Sequence, residues 1–224
     1  MLSLFFYKYN RLIKRIEKRT NLSFFFLSFF RISLVFIEKI FFKKIHPTEF
    51  LSFSNYYLNK NSLDLDNNII SAGIADDISF EKEVLRNTKV NKMICIDPTN
   101  VSKKVMEEIT SDKVFFIKSA LYHKSELTKI YYPFDKDNLN LSIDNLYNSN
   151  NFELIETVTI EKIMKMYDLN RIDILKLDIE GVSDKVINSL IQNKIFPKQI
   201  AFEIERPSSF LRQYQFFKRL FFLI

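Results

Sequence analysis

Tryptophan is absent from this 224-residue chain, cysteine occurs once, and glycine occurs twice, at Gly73 and Gly181. The lone Cys95 excludes an intramolecular disulfide and fits a reducing compartment, which makes the cytoplasm the default location. An average chain carries about 7% glycine, so a glycine-rich phosphate loop of the G-x-G-x-x-G kind is excluded, and each of the two glycines becomes informative. No small-residue cleavage site follows the apolar N-terminal run, which argues against a secretory signal. Neither an internal repeat nor a metal-ligand cluster appears.

What is present is the composition of a globular protein, 47% hydrophobic and 27% charged, enough to build a core. The length suits one ordinary domain with an appendage. The 24 phenylalanines read as base-composition bias. Net charge is +6, but Lys8, Arg11, Lys14, Arg15, Lys18, Arg19, Arg31, Lys39, Lys43 and Lys44 face only Glu17 and Glu38 within the first 45 residues. The remainder is slightly acidic, so a basic groove for nucleic acid is unsupported.

Residues 1–46 read as a basic, Phe-rich helical extension and residues 47–224 as the main domain. Arg31 and Glu38 interrupt the apolar run, and a central Arg costs at least about 2.5 kcal/mol on insertion, which disfavours a spanning helix. Three roles stay open for the extension: a cap on the main domain, peripheral attachment to an anionic membrane, or an anchor.

From Asn67 onward, short apolar runs alternate with helical stretches, the signature of βα units and a parallel sheet. Strands are expected at 67–72, 92–97, 113–119, 127–132, 157–160, 172–178 and 199–203. Helices are expected at 80–87, 100–109, 161–167 and 182–191, with a further helical pattern at 210–224. Residues 135–151, rich in Asn, Asp and Ser, read as a loop or lid.

Three features carry chemistry. The first strand delivers Ser71-Ala72-Gly73-Ile74-Ala75-Asp76-Asp77 into a helix, where glycine lets the backbone approach a ligand and the helix start offers amide hydrogens. A plain strand-to-helix turn explains those residues equally. The second strand ends in Asp97-Pro98, about twenty residues beyond Gly73, a spacing at which a carboxylate can accept from ribose hydroxyls. Asp97 as a helix cap is the alternative. The strand 172–178 brings Asp178 and Glu180 to its C-terminal end beside Gly181, and charged groups at such a strand mouth are rarely structural. Lys176 has to pair with a carboxylate if it points inward. His123 reads as an exposed loop histidine and Cys95 as a small buried apolar residue.

Lys-Leu-Asp-Ile-Glu-Gly at 176–181, preceded by Arg-Ile-Asp-Ile-Leu, resembles the signature of the FkbM-family S-adenosylmethionine-dependent methyltransferases. Ser-Ala-Gly-Ile-Ala-Asp-Asp-Ile-Ser-Phe-Glu at 71–81 and Cys-Ile-Asp-Pro-Thr at 95–99 resemble the branch with a Gly-Ile-Gly-x-Asp-x-Ser-Phe-Glu first loop. Lys118 to Leu121 and Phe202 to Glu205 fit further strand ends, so the likeness runs in order from Asn67 to Pro207. It implies a Rossmann-like, doubly wound parallel α/β sheet and S-adenosylmethionine as cofactor. It also implies transfer of a methyl group to a hydroxyl of a saccharide or small metabolite, with a small-molecule or glycan acceptor as partner. Gly73, Ala75 and Asp77 would shape the methionine end of the pocket, Asp97 and Pro98 the ribose region, and Ser119 and Ala120 the adenine region. Asp178 would orient or deprotonate the acceptor, with Glu180 and Glu203 behind it, contributing roughly 10²–10⁴-fold where general base catalysis operates.

The sequence departs from the family pattern twice. Ala75 stands in place of a loop glycine, and the strand pair that usually closes such sheets after the fifth strand is missing before Ile224. That leaves the edge to be covered by the N-terminal segment or a partner, or makes the chain a truncated member. A catalytically degenerate binding or membrane-associated scaffold is therefore the rival reading. A nicotinamide oxidoreductase fits worse, without the glycine fingerprint or a Tyr-x-x-x-Lys pair after a suitable strand.

Overall fold

The computed structural model describes residues 50–63, 66–133, 141–146 and 149–202. The expectations for residues 1–46, for Glu203 and for the helical pattern and sheet edge beyond it lie outside these residues.

A short antiparallel hairpin comes first: β1 (Phe50–Phe53) pairs with β2 (Tyr56–Asn59). Its turn is made by Ser54, at φ +51°, and Asn55. The βα series follows with β3 (Asn67–Ala72), α1 (Ser79–Asn87), β4 (Val90–Ile96), α2 (Asn100–Met106) and β5 (Val114–Ile117). Then come β6 (Ala120–Leu121), β7 (Leu127–Tyr131), β8 (Phe152–Val158), α3 (Ile160–Met166), β9 (Ile174–Leu177), α4 (Ser183–Gln192) and β10 (Gln199–Phe202).

Five strands form one parallel sheet in the order β10-β9-β3-β4-β5. Counted along the chain this is 3-2-1-4-5, the Rossmann-like order, and it reverses direction between β3 and β9. Every residue of β3 and β9 is buried, as expected for inner strands covered on both faces. The expected α/β class and parallel sheet are what the chain adopts.

One face of the sheet carries Ile69, Met93, Cys95 and Ile174, which pack with Phe80 and Val84 of α1 and with Phe53 and Leu58 of the hairpin. Burying an aliphatic or aromatic side chain of this kind contributes about 1.5–3 kcal/mol, so the hairpin is a structural part of the core. Its far end is tied to the sheet edge by Gln199, whose side chain accepts from the Asn59 amide and donates to the Asn59 carbonyl.

Two elements differ from expectation. The hairpin at 50–59 carries no clean alternation of polar and apolar residues, and nothing in the sequence signalled it. The expected short strand at 157–160 is a seven-residue strand, Phe152–Val158, antiparallel to β7 and joined to β6. Its outer half is exposed, so the apolar-run criterion sees only the buried end, Thr157 and Val158.

Candidate functional site

A cavity of about 670 Å³ opens at the C-terminal ends of β3, β4 and β9. That volume lies within the ~300–1,000 Å³ of small-molecule sites, and the position is the switch point where open parallel sheets bind ligands. Gly73, Ala75, Asp77, Asp97, Pro98, Ala120, Asp178 and Glu180 all line it. Sequence residues separated by more than a hundred positions therefore share one crevice. Ser119 is placed differently: its hydroxyl donates to the Glu156 carbonyl at 2.6 Å, pinning the chain after β5 to β8, and it does not line the cavity. Glu203 lies outside the described residues.

Gly73 is demanded by close packing. Its φ is +81°, and a Cβ there would sit 1.8 Å from the Asp178 carbonyl oxygen. Its amide donates to the Ile96 carbonyl at 3.0 Å. Ala75 follows at φ +49°, a left-handed conformation that costs a residue with a Cβ roughly 1–2 kcal/mol.

Asp97 holds that strained loop. Its Oδ2 accepts from the amides of Ile74 and Ala75, each at 3.0 Å, and its Oδ1 accepts from the Thr99 amide at 2.8 Å and hydroxyl at 2.7 Å. It is 5% exposed, so the cost of burying a charge is met by four donors. Thr99, not Asp97, caps α2, accepting from the Ser102 amide. Asp77 in turn accepts from the Ser79 amide at 2.8 Å at the start of α1, and these contacts with Ser79 hold its carboxyl below the usual range.

Beneath the loop lies a buried polar row. Ser71 on β3 is in register with Cys95 on one side and Lys176 on the other. Glu81 of α1, fully buried, accepts from the Ser71 hydroxyl at 2.5 Å and sits 3.6 Å from the Lys176 ammonium. Lys176, 3% exposed, donates to the Gly73 carbonyl at 2.8 Å. Lys176 thus points inward and has the carboxylate partner its position requires.

Asp178 closes β9. Its Oδ2 accepts from the Tyr56 hydroxyl at 2.7 Å and lies 3.8 Å from Lys176 Nζ. Tyr56 comes from the hairpin, and its ring stands edge-on to Phe80 at 5.4 Å. Glu180, two residues on, is pushed above the usual carboxylate range by burial first and by the Asp178 charge second. Its carbonyl accepts from the Ser142 hydroxyl at 2.8 Å, which draws part of the expected lid, 141–146, onto the cavity wall. Gly181 leaves room for this contact, because a Cβ there would meet Leu146 at 2.9 Å and Ser142 at 3.0 Å.

The electrostatic character is one-sided. Among the described residues the lining carries Asp76, Asp77, Asp97, Asp178 and Glu180 against one cation, Lys176, which is already paired. The helix start offers few free donors, since the amides of Gly73, Ile74, Ala75, Asp77 and Ser79 all have internal acceptors. The expectation that this turn presents amide hydrogens to a ligand is corrected to that extent.

Two residues outside the cavity complete the comparison. His123 is half-buried against Tyr122, with a buried Nδ1 that has no hydrogen-bond partner, rather than an exposed loop residue. Burial, reinforced by Lys124 and Lys185, lowers its pKa. Cys95 is buried as expected, and desolvation pushes its thiol far up. Sequence reasoning missed Tyr56, Ser71 and Glu81. Only Ser71 and Glu81 had a signal, as polar residues at positions facing an apolar core.

No protein-family model matches the chain, and no curated protein matches it. Among solved structures, the crystal structure of methyltransferase FkbM from Methylobacillus flagellatus KT is similar at a TM-score of 0.47 and 14% identity. The match covers 74% of this chain and 41% of that one, so the chain spans about two-fifths of that protein's length.

Proposed function

We propose that this chain binds S-adenosylmethionine in the switch-point crevice and transfers its methyl group to a hydroxyl oxygen of a saccharide or small metabolite. The observation that carries the reading is the acid-rich, cation-poor lining around Gly73, Asp97 and Asp178. A pyrophosphate cofactor needs free amides and unpaired cations, and here it would meet five carboxylates. A nucleoside with a sulfonium and an ammonium group carries positive charge and no phosphate, so it suits this wall. The motif resemblance from Asn67 to Pro207 points to the same cofactor class.

The residues present fit that group. Asp76 and Asp77 stand at the loop where a cationic methionine end is favoured, Asp97 and Pro98 at the ribose region, and Ala120 beside the adenine region. Ser119, its hydroxyl committed to Glu156, lies behind Ala120 and supports that region only by joining the chain after β5 to β8. When bound, the cofactor supplies an electrophilic methyl group. Leu121, Ile130 and Ile143 give the crevice an apolar wall that excludes water. Asp178 orients the acceptor hydroxyl or takes its proton, with Glu180 next to it and Glu203 as a further carboxylate of the set. By holding the acceptor hydroxyl in a fixed place, Asp178 would supply much of the rate through orientation.

One observation favours the scaffold reading: the four protein donors on Asp97 leave its lone pairs engaged. Calorimetric titration with S-adenosylmethionine separates the two, because a folded protein that does not bind it is a scaffold. Screening acceptors with labelled cofactor then tests transfer. Asp178→Asn is expected to lower turnover at least about 100-fold, and full turnover in that variant would refute the assignment.

A further inference from the structure

The hydrogen bond between the hairpin and the end of β9 joins residues 122 positions apart, and the motif resemblance assigns no role to the hairpin. From it we propose that Tyr56 is the positioning residue for Asp178, holding one carboxylate oxygen so that the other is aimed into the crevice at the acceptor. This rests on the methyl-transfer reading and extends it to a residue outside the recognised segment.

Three observations support the assignment. Both donors near Asp178, the Tyr56 hydroxyl at 2.7 Å and the Lys176 ammonium at 3.8 Å, approach the same oxygen, Oδ2. Among the described residues Oδ1 receives no hydrogen bond, and Asp178 lines the cavity. A carboxylate with one oxygen hydrogen-bonded to Tyr56 and drawn toward the Lys176 charge is restricted in rotation about χ2, which is the freedom that matters for presenting the opposite edge to a hydroxyl.

The Tyr56 ring is itself fixed. It packs edge-on against Phe80, and Lys176 Nζ lies 5.5 Å from its centroid. The turn that carries it is clamped by Glu83 of α1, which accepts from the Ser54 amide. The hydroxyl therefore arrives on a rigid element. The charged groups around Asp178 come from every neighbouring element: Lys176 on β9, Glu81 on α1, Asp76 and Asp77 in the first loop, Asp97 after β4, and Glu180 on its own loop. Of all these, the Tyr56 hydroxyl alone is a neutral donor that can be deleted without changing the charge of the site.

The test uses the full chain with Tyr56→Phe, which keeps the ring against Phe80 and removes the hydroxyl. Unfolding midpoints matching the parent establish that the fold is intact. The carbon-13 chemical shift of the Asp178 carboxyl at neutral pH, assigned by its loss in Asp178→Asn, reads the contact without needing turnover. Loss of the Tyr56 hydroxyl as a donor should move that chemical shift away from its parent value. With a working acceptor, kcat should fall about tenfold, while KM for the acceptor and affinity for S-adenosylhomocysteine stay within twofold. An unmoved carboxyl chemical shift overturns the proposal, and so does a moved shift with kcat unchanged. Failure of the parent protein to bind S-adenosylmethionine or S-adenosylhomocysteine sinks the methyl-transfer reading instead, and is seen before any variant is made.

Discussion

Ala75 and Gly73 sit two positions apart, both with positive φ, and their substitutions should move stability in opposite directions. Gly73→Ala places a methyl 1.8 Å from the Asp178 carbonyl oxygen, which no side-chain adjustment relieves. A loss of several kcal/mol, or no folded protein, is expected from urea denaturation. Ala75→Gly relieves the left-handed strain and should raise stability by about 0.5–1 kcal/mol, less than the full strain because glycine also frees the unfolded chain. An unchanged or lower denaturation midpoint would contradict it. At this scale the sequence was legible where a rare residue type marked a geometric need: two glycines in the whole chain, both at turns of positive φ beside the crevice. Tyr56 was illegible because one tyrosine among ten, in a segment with no motif, has nothing to distinguish it until the hairpin folds back. The partner of the Ser119 hydroxyl was illegible for a related reason, since its acceptor is a carbonyl 37 positions later.

Among elements, the start of β9 is as instructive as its end. Asp173, 1% exposed, accepts from the Asn68 amide at 2.8 Å and pairs with Lys198 at 2.6 Å and Arg171 at 3.0 Å. Burial works against its charge, but the Asn68 amide, Lys198 and Arg171 outweigh that and hold the carboxyl below its ordinary value. A carboxyl depressed in the folded state adds stability that is fully present above its unfolded pKa of 3.8 and is lost as pH falls through the folded value. Asp173→Asn should therefore destabilise by roughly 1.5–3 kcal/mol at pH 7 and flatten the fall in stability below about pH 4. Parallel acid titrations of both proteins, followed by circular dichroism, check this, and identical acid limbs would contradict it. The βα elements from Asn67 to Phe202 were readable because inner parallel strands are continuous apolar runs between helices. Strand β8 was readable only at its buried end. Its partner β7 has exposed Leu127 and its own outer half exposed Phe152 and Leu154, so neither carries the alternation that identifies a half-buried strand.

For the molecule as a whole, the distribution of charge sets what it admits. The net charge of +6 is concentrated in the first 45 residues, while the crevice lining is acidic, so total charge alone misdescribes the crevice. In thermal unfolding, S-adenosylmethionine at about a hundred times its dissociation constant should stabilise the protein by roughly 2.7 kcal/mol, a rise of about 5–10 °C for a chain of this size. The dinucleotide NAD at the same concentration should give no shift, and a shift with NAD would contradict the exclusion of phosphate. No helix among the described residues is long and apolar enough to cross a membrane.

The pairing of β3 with β9 joins stretches such as Asn68 and Asp173, 105 positions apart. During synthesis the first loop and Asp97 therefore leave the ribosome long before the strand that completes their crevice exists. Ring closures of that span slow folding, so the complete crevice is reached late. A cofactor that recognises Gly73, Asp97 and Asp178 together would act as a sensor of finished chains, ignoring nascent ones and protecting from proteolysis only those in which β9 has docked.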